Sequence, residues 1–447
     1  MGDREDMSQK AVGENRASTG PSGLPRQRWI KVVVAVSLVG FCAVNTRNFV
    51  KKVNAGKSTL KIWLPCAAEI GRDELLYTHH RNYIYPPWYL VVIRPLTYVS
   101  RTAAAIIWQM MKYAAVGAIF WLVWDLLSRD GPLPTWAKLG SVVMSARFIL
   151  NDLGHGNVNL FICLLVVLAV WLLARGRLIA CGVAVAVAAC IKITPALWAV
   201  YLLYKRQWRA LVGVVIGVVI CLELVPLMLL SPAMNHALLR RWYAHVITPY
   251  VSKGQVYSTR INQSMAGVTN RLLGRSEWAP RDEPIALVDL DDETLKWVQR
   301  GIGFAVIAML AWFCRGALPE PDRLALAVEW SLVAATTLVL SGYTWTGHFC
   351  LLILAHVAVL AYLARRGEQR IDRQVLVLTI IALALCSLTS DLITPAGRRW
   401  AAAVGLMLYG VLALAAALVL IRERRRPSAV ARDSTHSRSG RGGSEGR

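Results

Sequence analysis

Long apolar runs separated by short polar clusters dominate the chain. They occupy roughly 29–46, 86–127, 134–151, 157–174, 177–204, 209–231, 296–314, 322–341, 347–364, 373–391 and 398–421. A helix needs about 20 apolar residues to cross a hydrocarbon core, so most runs have the length of one crossing. Two runs are too long. Run 177–204 divides at Ile193-Thr194-Pro195, because the residue before a proline is biased away from helix. Its halves predict a hairpin of helices with Lys192 near the tip. In run 86–127, "YPPWYLVVIRPLTYVS" reads as an interfacial or re-entrant helix, since its tyrosines, Trp88 and Arg94 suit an interface.

Lys and Arg in short loops set the orientation. "ARGR" at 174–177, "KRQWR" at 205–209, "ARRGEQRIDR" at 364–373 and "RERRR" at 422–426 are all expected to be cytoplasmic. Alternating helices then place "GHGNVN", Lys192, the long loop at about 232–295 and "SGYTWTGH" together on the outer face. Parity holds only if 86–100 stays on that face, which makes about 47–101 a second outer loop. The fold expected is an all-α polytopic membrane protein of about 12 crossings, with both termini cytoplasmic. Residues 1–28, polar and rich in Gly and Ser, are expected to be disordered, and too long and polar to open a cleaved signal peptide. The basic tail 422–447 is expected to be disordered too, leaving 29–421 as the transmembrane body.

Composition supports this. The 447 residues are 56% hydrophobic and only 17% charged, with a mean hydropathy of +0.45, too apolar for a soluble domain. The net charge of +23 is dispersed in clusters beside apolar runs, a pattern of membrane anchoring rather than of a nucleic-acid surface. No nucleic-acid partner is expected. Eight of the nine cysteines lie in or at the edge of apolar segments, and Cys66 falls in a loop. Neither a disulfide framework nor a CxxC spacing is visible, and no carboxylate cluster has the spacing of a metal site. "DLDDE" at 289–293 suits a helix N-terminus rather than a calcium loop. Glu223 and Glu329, inside spans, read as buried hydrogen-bonding groups.

Polar residues gather at the outer face. They are Lys192; Asn151, Asp152, His155, Asn157 and Asn159; Asn262, Gln263, Ser264 and Arg271; and Trp345 and His348. A cation, amides, a carboxylate and imidazoles at one water–lipid boundary suit a lipid-linked polar group. Lys binds phosphate as a point charge, and amides can read sugar hydroxyls. Each also has a plain reading. Lys192 could snorkel from a turn, Asn151 and Asp152 could cap helices, Trp345 could anchor at the interface, and His348 and Asn262 to Ser264 could serve structure. A transporter would instead place polar residues along a midplane path.

The order of motifs resembles a known family. "YIYPPWYLVVIRPL" at 83–96 precedes "GNVNL" at 156–160, which is similar to a G-Q-x-N-L element. Then come an apolar stretch with central Lys192 and Pro195 ending in "RQWRAL", "NQSMAGVTNRLL", similar to N-Q-S-L followed by R-L-L, and "TWTGH", similar to S-W-x-x-H. Together, over about 83–350, they resemble glycosyltransferase family 87, bacterial polyprenyl-phosphate-mannose-dependent mannosyltransferases. The resemblance implies a C-type glycosyltransferase bundle in the bacterial inner membrane with its site on the outer face. It implies an inverting hexosyltransferase with no cofactor: a polyprenyl-phosphate sugar, mannose foremost, serves as donor, and a glycolipid or glycan as acceptor. Lys192 would hold the phosphate, helped by Arg271; Asn157, Asn159, Asn262, Gln263 and Trp345 would also bind the donor, with His348 near the phosphate or the attacking hydroxyl.

The chain departs from the family in the first outer loop. Where such enzymes carry an Asp soon after the first span, Ser58 and Thr59 stand, and the first acids are Glu69, Asp73 and Glu74. The base is then expected to be Asp152, best placed by topology, or Asp73. Without a base, a non-catalytic lipid-linked-sugar binder or flippase of the same fold is the alternative.

Overall fold

The computed structural model describes residues 24–72, 74–251, 256, 258–274, 285–365 and 372–425. Asp73, most of the N-terminal segment 1–28 and most of the tail 422–447 lie outside them. Among the described residues the chain is helical, and β pairing is limited to one isolated bridge between Gly274 and Leu290. Two compact units divide after Asn48, within helix α1 (Leu24–Asn54).

The body follows as α2 (Leu60–Glu69), α3 (Pro87–Ile93), α4 (Arg101–Ser128), α5 (Thr135–His155), α6 (Asn159–Leu173), α7 (Leu178–Ile191), α8 (Ala196–Tyr204), α9 (Trp208–Val219) and α10 (Pro232–Trp242). Then come α11 (Met265–Leu273), α12 (Asp292–Phe313), α13 (Arg323–Leu340), α14 (Ile353–Arg365), α15 (Arg373–Ser387), α16 (Pro395–Val404) and α17 (Leu406–Arg424). A 3-10 turn, Thr346–Leu352, leads into α14.

Helices break where local chemistry requires it. Run 86–127 splits after Tyr98 into a short helix with a 3-10 extension and then α4, capped by Ser100. Run 177–204 splits at Lys192, ahead of Thr194-Pro195. Asp291 caps α12 by accepting from the Glu293 and Thr294 amides, the helix start expected of the acidic run. Two readings are corrected. Cys66 is buried within α2 rather than in a loop. Run 398–421 is no single crossing, because Gly405, at φ +90°, breaks it into α16 and α17.

Among the described residues, six helices are long and apolar enough to cross a membrane: Val32–Asn54, Arg101–Ser128, Trp208–Met228, Arg323–Leu340, Thr346–Arg365 and Leu406–Arg424. Other apolar helices, such as Asn159–Leu173, Leu178–Ile191 and Arg373–Ser387, are shorter. Length alone therefore accounts for six of the roughly twelve crossings expected. Large apolar side chains such as Val143, Val215 and Phe304 point outward, exposed. In water such a surface would aggregate; with the apolar helices and the polar interior described below, it makes the chain a multi-pass membrane protein.

Small residues set the closest approach, between α7 and α9. A Cβ on Gly182 would stand 1.8 Å from the Ala210 carbonyl oxygen, and one on Gly213 would stand 2.1 Å from that of Ile179. Gly213 and Gly217 form a G-x-x-x-G face, which lets backbones meet where lipid supplies no hydrophobic drive. Gly213→Val is therefore expected to separate the pair, costing at least the ~1–3 kcal/mol of an overpacked core. Gly301→Val, with open space around it, should melt like the parent in detergent. Equal melting of the two variants would contradict the close approach.

Ion pairs gather at one end of the bundle, and those of Glu329 are buried. Glu329 of α13 receives Lys205 at 2.8 Å, Arg422 at 2.6 Å and the Tyr201 hydroxyl at 2.8 Å. Arg365 pairs with Asp130 at 3.6 Å, Arg425 with Asp322 at 2.7 Å and Arg175 with Asp125 at 2.9 Å. Members of all four basic loops thus meet at the same end. The cavity described next lies at the other.

Candidate functional site

The non-helical link between α7 and α8 builds the first wall. Pro195 prevents α7 from continuing, and Lys192 takes an extended conformation at φ −147°, ψ 130°. Its ammonium nitrogen lies 2.6 Å from Nε2 of His348. His348 sits in the 3-10 turn ahead of α14, and its Nδ1 accepts the Trp345 amide at 3.3 Å. The Trp345 ring lies edge-on to both His155, at 4.9 Å, and His348, at 5.7 Å. Burial pulls the Lys192 ammonium down to about 7, with the Asp152 charge pushing the other way.

The turn between α5 and α6 builds the second wall. Gly156 is left-handed at φ +72°, and a Cβ there would strike the Phe49 ring at 2.6 Å. Its carbonyl accepts from Trp108 Nε1 and from the Thr59 hydroxyl, both at 2.8 Å. The rigid turn presents two amides. Asn157 Oδ1 accepts from the Tyr85 hydroxyl at 3.2 Å and from the Val158 amide at 2.7 Å. Asn159 Nδ2 donates to Asp152 Oδ1 at 2.8 Å.

Between these walls lies a cavity of about 750 Å³. Its polar lining includes Tyr85, Asn157, Asn159, Lys192, Trp345 and His348, and Ile84, Ile193, Trp242, Val246 and Leu340 supply apolar surface. A mostly apolar cavity with a few convergent polar groups is the usual form of a ligand site.

The model of glycosyltransferase family 87 matches residues 83–342, which contain both walls up to the edge of the Trp345–His348 turn. The chain belongs to glycosyltransferase family 87.

Two curated relatives carry the name polyprenol-phosphate-mannose-dependent alpha-(1-2)-phosphatidylinositol pentamannoside mannosyltransferase. The protein from Mycobacterium tuberculosis (strain CDC 1551 / Oshkosh) is 27% identical over 430 residues, 92% of this chain and 90% of its own. That from Mycolicibacterium smegmatis (strain ATCC 700084 / mc(2)155) is 29% identical over 340 residues, 74% of this chain and 75% of its own. No solved structure matches the chain significantly.

Within this family member, Lys192, Asn157, Asn159, Trp345 and His348 come together at the cavity. The other expected site residues stand elsewhere. Asp152 is fully buried behind the wall, paired with Lys112 at 2.7 Å, so its carboxylate faces no open space. Arg271 and Gln263 are occupied by α16. A helix end leaves its last carbonyls unpartnered, and Arg271 donates to the Ala403 carbonyl at 2.8 Å while Gln263 Nε2 donates to that of Ala402 at 2.7 Å. Arg271 also holds the Thr259 and Asn262 carbonyls, both at 2.8 Å. Asn262 clips the neighbouring loop, donating to the Gly342 carbonyl at 3.0 Å and accepting the Thr344 amide at 2.9 Å. These three shape the loops around the cavity without lining it. Asp73 lies outside the described residues. Among the described residues, no carboxylate lines the cavity.

Lys112 and Tyr85 were not among the expected site residues. Lys112 had a signal: a cation in the middle of the crossing 101–127 requires a buried partner. Tyr85 had none, because its role depends on meeting Asn157, 72 residues away.

Proposed function

We propose that this family member is a membrane mannosyltransferase taking mannose from polyprenyl-phosphate mannose. The acceptor is a lipid-linked glycan of the phosphatidylinositol-mannoside class, the class named for both relatives. The reaction is an inverting displacement at the anomeric carbon: the acceptor oxygen attacks, and polyprenyl phosphate leaves with the bonding pair. Lys192 carries the reading. Its amine is held at the cavity wall by a helical hairpin, where a cation can balance charge gathering on the departing phosphate. The proton of the attacking hydroxyl passes to the polyprenyl phosphate as it departs and gains its second negative charge.

The site faces outward from a bacterial plasma membrane, with the termini cytoplasmic. Support comes from the clustering of the basic loops at the opposite end of the bundle.

The lack of a carboxylate among the described lining residues favours a second reading, a lipid-linked-sugar binder or flippase without turnover. Purified protein in nanodiscs, given polyprenyl-phosphate [14C]mannose and a phosphatidylinositol mannoside, separates the two. Transfer yields a labelled glycolipid whose new linkage is inverted relative to the donor. Saturable donor binding with no labelled product would replace the enzyme by the binder.

A further inference from the structure

Lys112 and Asp152 form a buried unit behind the cavity wall. Both side chains are fully buried, and Lys112 Nζ reaches Asp152 Oδ2 at 2.7 Å and the Asp152 backbone carbonyl at 2.5 Å. The other carboxylate oxygen faces Asn159 at 2.8 Å. With the Lys112 ammonium on one oxygen, the carboxylate serves as a hydrogen-bond acceptor on the other. The Asn159 atom facing it must therefore be the amide nitrogen, and the amide oxygen is left for the cavity. Gly347 leaves room for this arrangement, since a Cβ there would stand 3.1 Å from Asn159 Nδ2.

Asn157 is fixed in the opposite sense. The Val158 backbone N–H can only donate, so the Asn157 atom at 2.7 Å must be oxygen. Its NH2 group is then left for the cavity it lines. The wall thus shows two amides of opposite polarity, an acceptor at Asn159 and a donor at Asn157. A phosphate diester oxygen has no proton to give and cannot satisfy Asn159. A sugar hydroxyl can.

We propose that Asn159 accepts a hydrogen bond from a hydroxyl of the donor sugar, and that Lys112 and Asp152 are positioning residues that fix its amide in the reading orientation. This rests on the donor-binding reading above and deepens it. Lys192 holds the phosphate, and Asn159 recognises the sugar attached to it. Asp152 is then a support for recognition rather than a base.

The test compares binding of bare polyprenyl phosphate, polyprenyl-phosphate mannose and its monodeoxy analogues. Wild type should bind the mannosyl lipid more tightly than bare phosphate, and removal of one particular hydroxyl should weaken it about tenfold. Lys112→Met/Asp152→Leu removes both charges together, which avoids leaving one buried alone. It should bind bare polyprenyl phosphate as wild type does, yet lose the tenfold discrimination. Asn159→Ala should behave alike, and Lys112→Arg should restore discrimination. If the double variant does not fold, the isosteric Asp152→Asn replaces it, since its amide can donate to Asn159 and reverse the orientation. Retained discrimination in these variants, or none in wild type, overturns the inference. Failure of wild type to bind bare polyprenyl phosphate would instead overturn the phosphate site.

Discussion

Lys192→Glu is expected to abolish donor binding, raising Kd for polyprenyl-phosphate mannose by 100-fold or more. A hydrogen bond to a charged group contributes about 1.5–3 kcal/mol, and reversal adds repulsion between two anions where water is scarce. The wild-type pH profile carries a second signature. Burial lowers the Lys192 pKa to about 7, and the titratable groups acting on it are His348, at 2.6 Å, and Asp152. Well below about 7 the ammonium is fully formed. Above that value it is lost, while a phosphodiester stays anionic throughout. Affinity should therefore be flat below about 7 and fall by up to tenfold per pH unit above it. Lys192→Arg, which does not deprotonate, should bind without that fall. Normal donor binding by Lys192→Glu, or an unchanged pH profile in Lys192→Arg, would remove Lys192 from the phosphate.

The largest loss of stability is expected from Glu329→Leu. The carboxylate accepts from Lys205, Arg422 and Tyr201 in a site where both lysine and glutamate side chains are fully buried. Removing it strands two cations. Breaking a buried pair costs about 3–5 kcal/mol, enough to unfold most of a marginal protein. Lys205→Met/Glu329→Leu/Arg422→Met removes all three charges and should recover most of the loss in detergent melting. Donor binding should be unaffected in the triple variant. The eleven-residue step from Glu329 to Leu340, which lines the cavity, spans about 16 Å of helix. A Glu329→Leu protein melting with wild type would show that the cluster contributes nothing.

Much of the bundle was legible along the chain. Proline marked the tip at Lys192, and the break before α4 followed from parity among the basic loops. The same charge counting grouped those loops, and their ion pairs meet at one end. The site was legible only in part. Lys192, Asn157, Asn159, Trp345 and His348 were expected together and line one cavity. Asn262, Gln263 and Arg271 were expected with them but face carbonyls instead. Arg271 has the right charge for a phosphate and spends it on the end of α16, a helix end created by the break at Gly405.

What the sequence determined by itself is whatever depends on neighbours along the chain. Apolar length, helix-breaking prolines and the sign of loop charges made this a multi-pass helical membrane protein with the polar side chains of the candidate site at one end and the basic loops at the other. Tertiary structure alone decided which of those side chains are free to act. A buried cation or amide is committed by the partner it meets, and the decisive partners come from remote segments: Lys112 for Asp152, Tyr85 for Asn157, Ala402 and Ala403 for Gln263 and Arg271. Hydrogen-bond satisfaction in a dry interior makes that choice, and no local pattern in one chain records it.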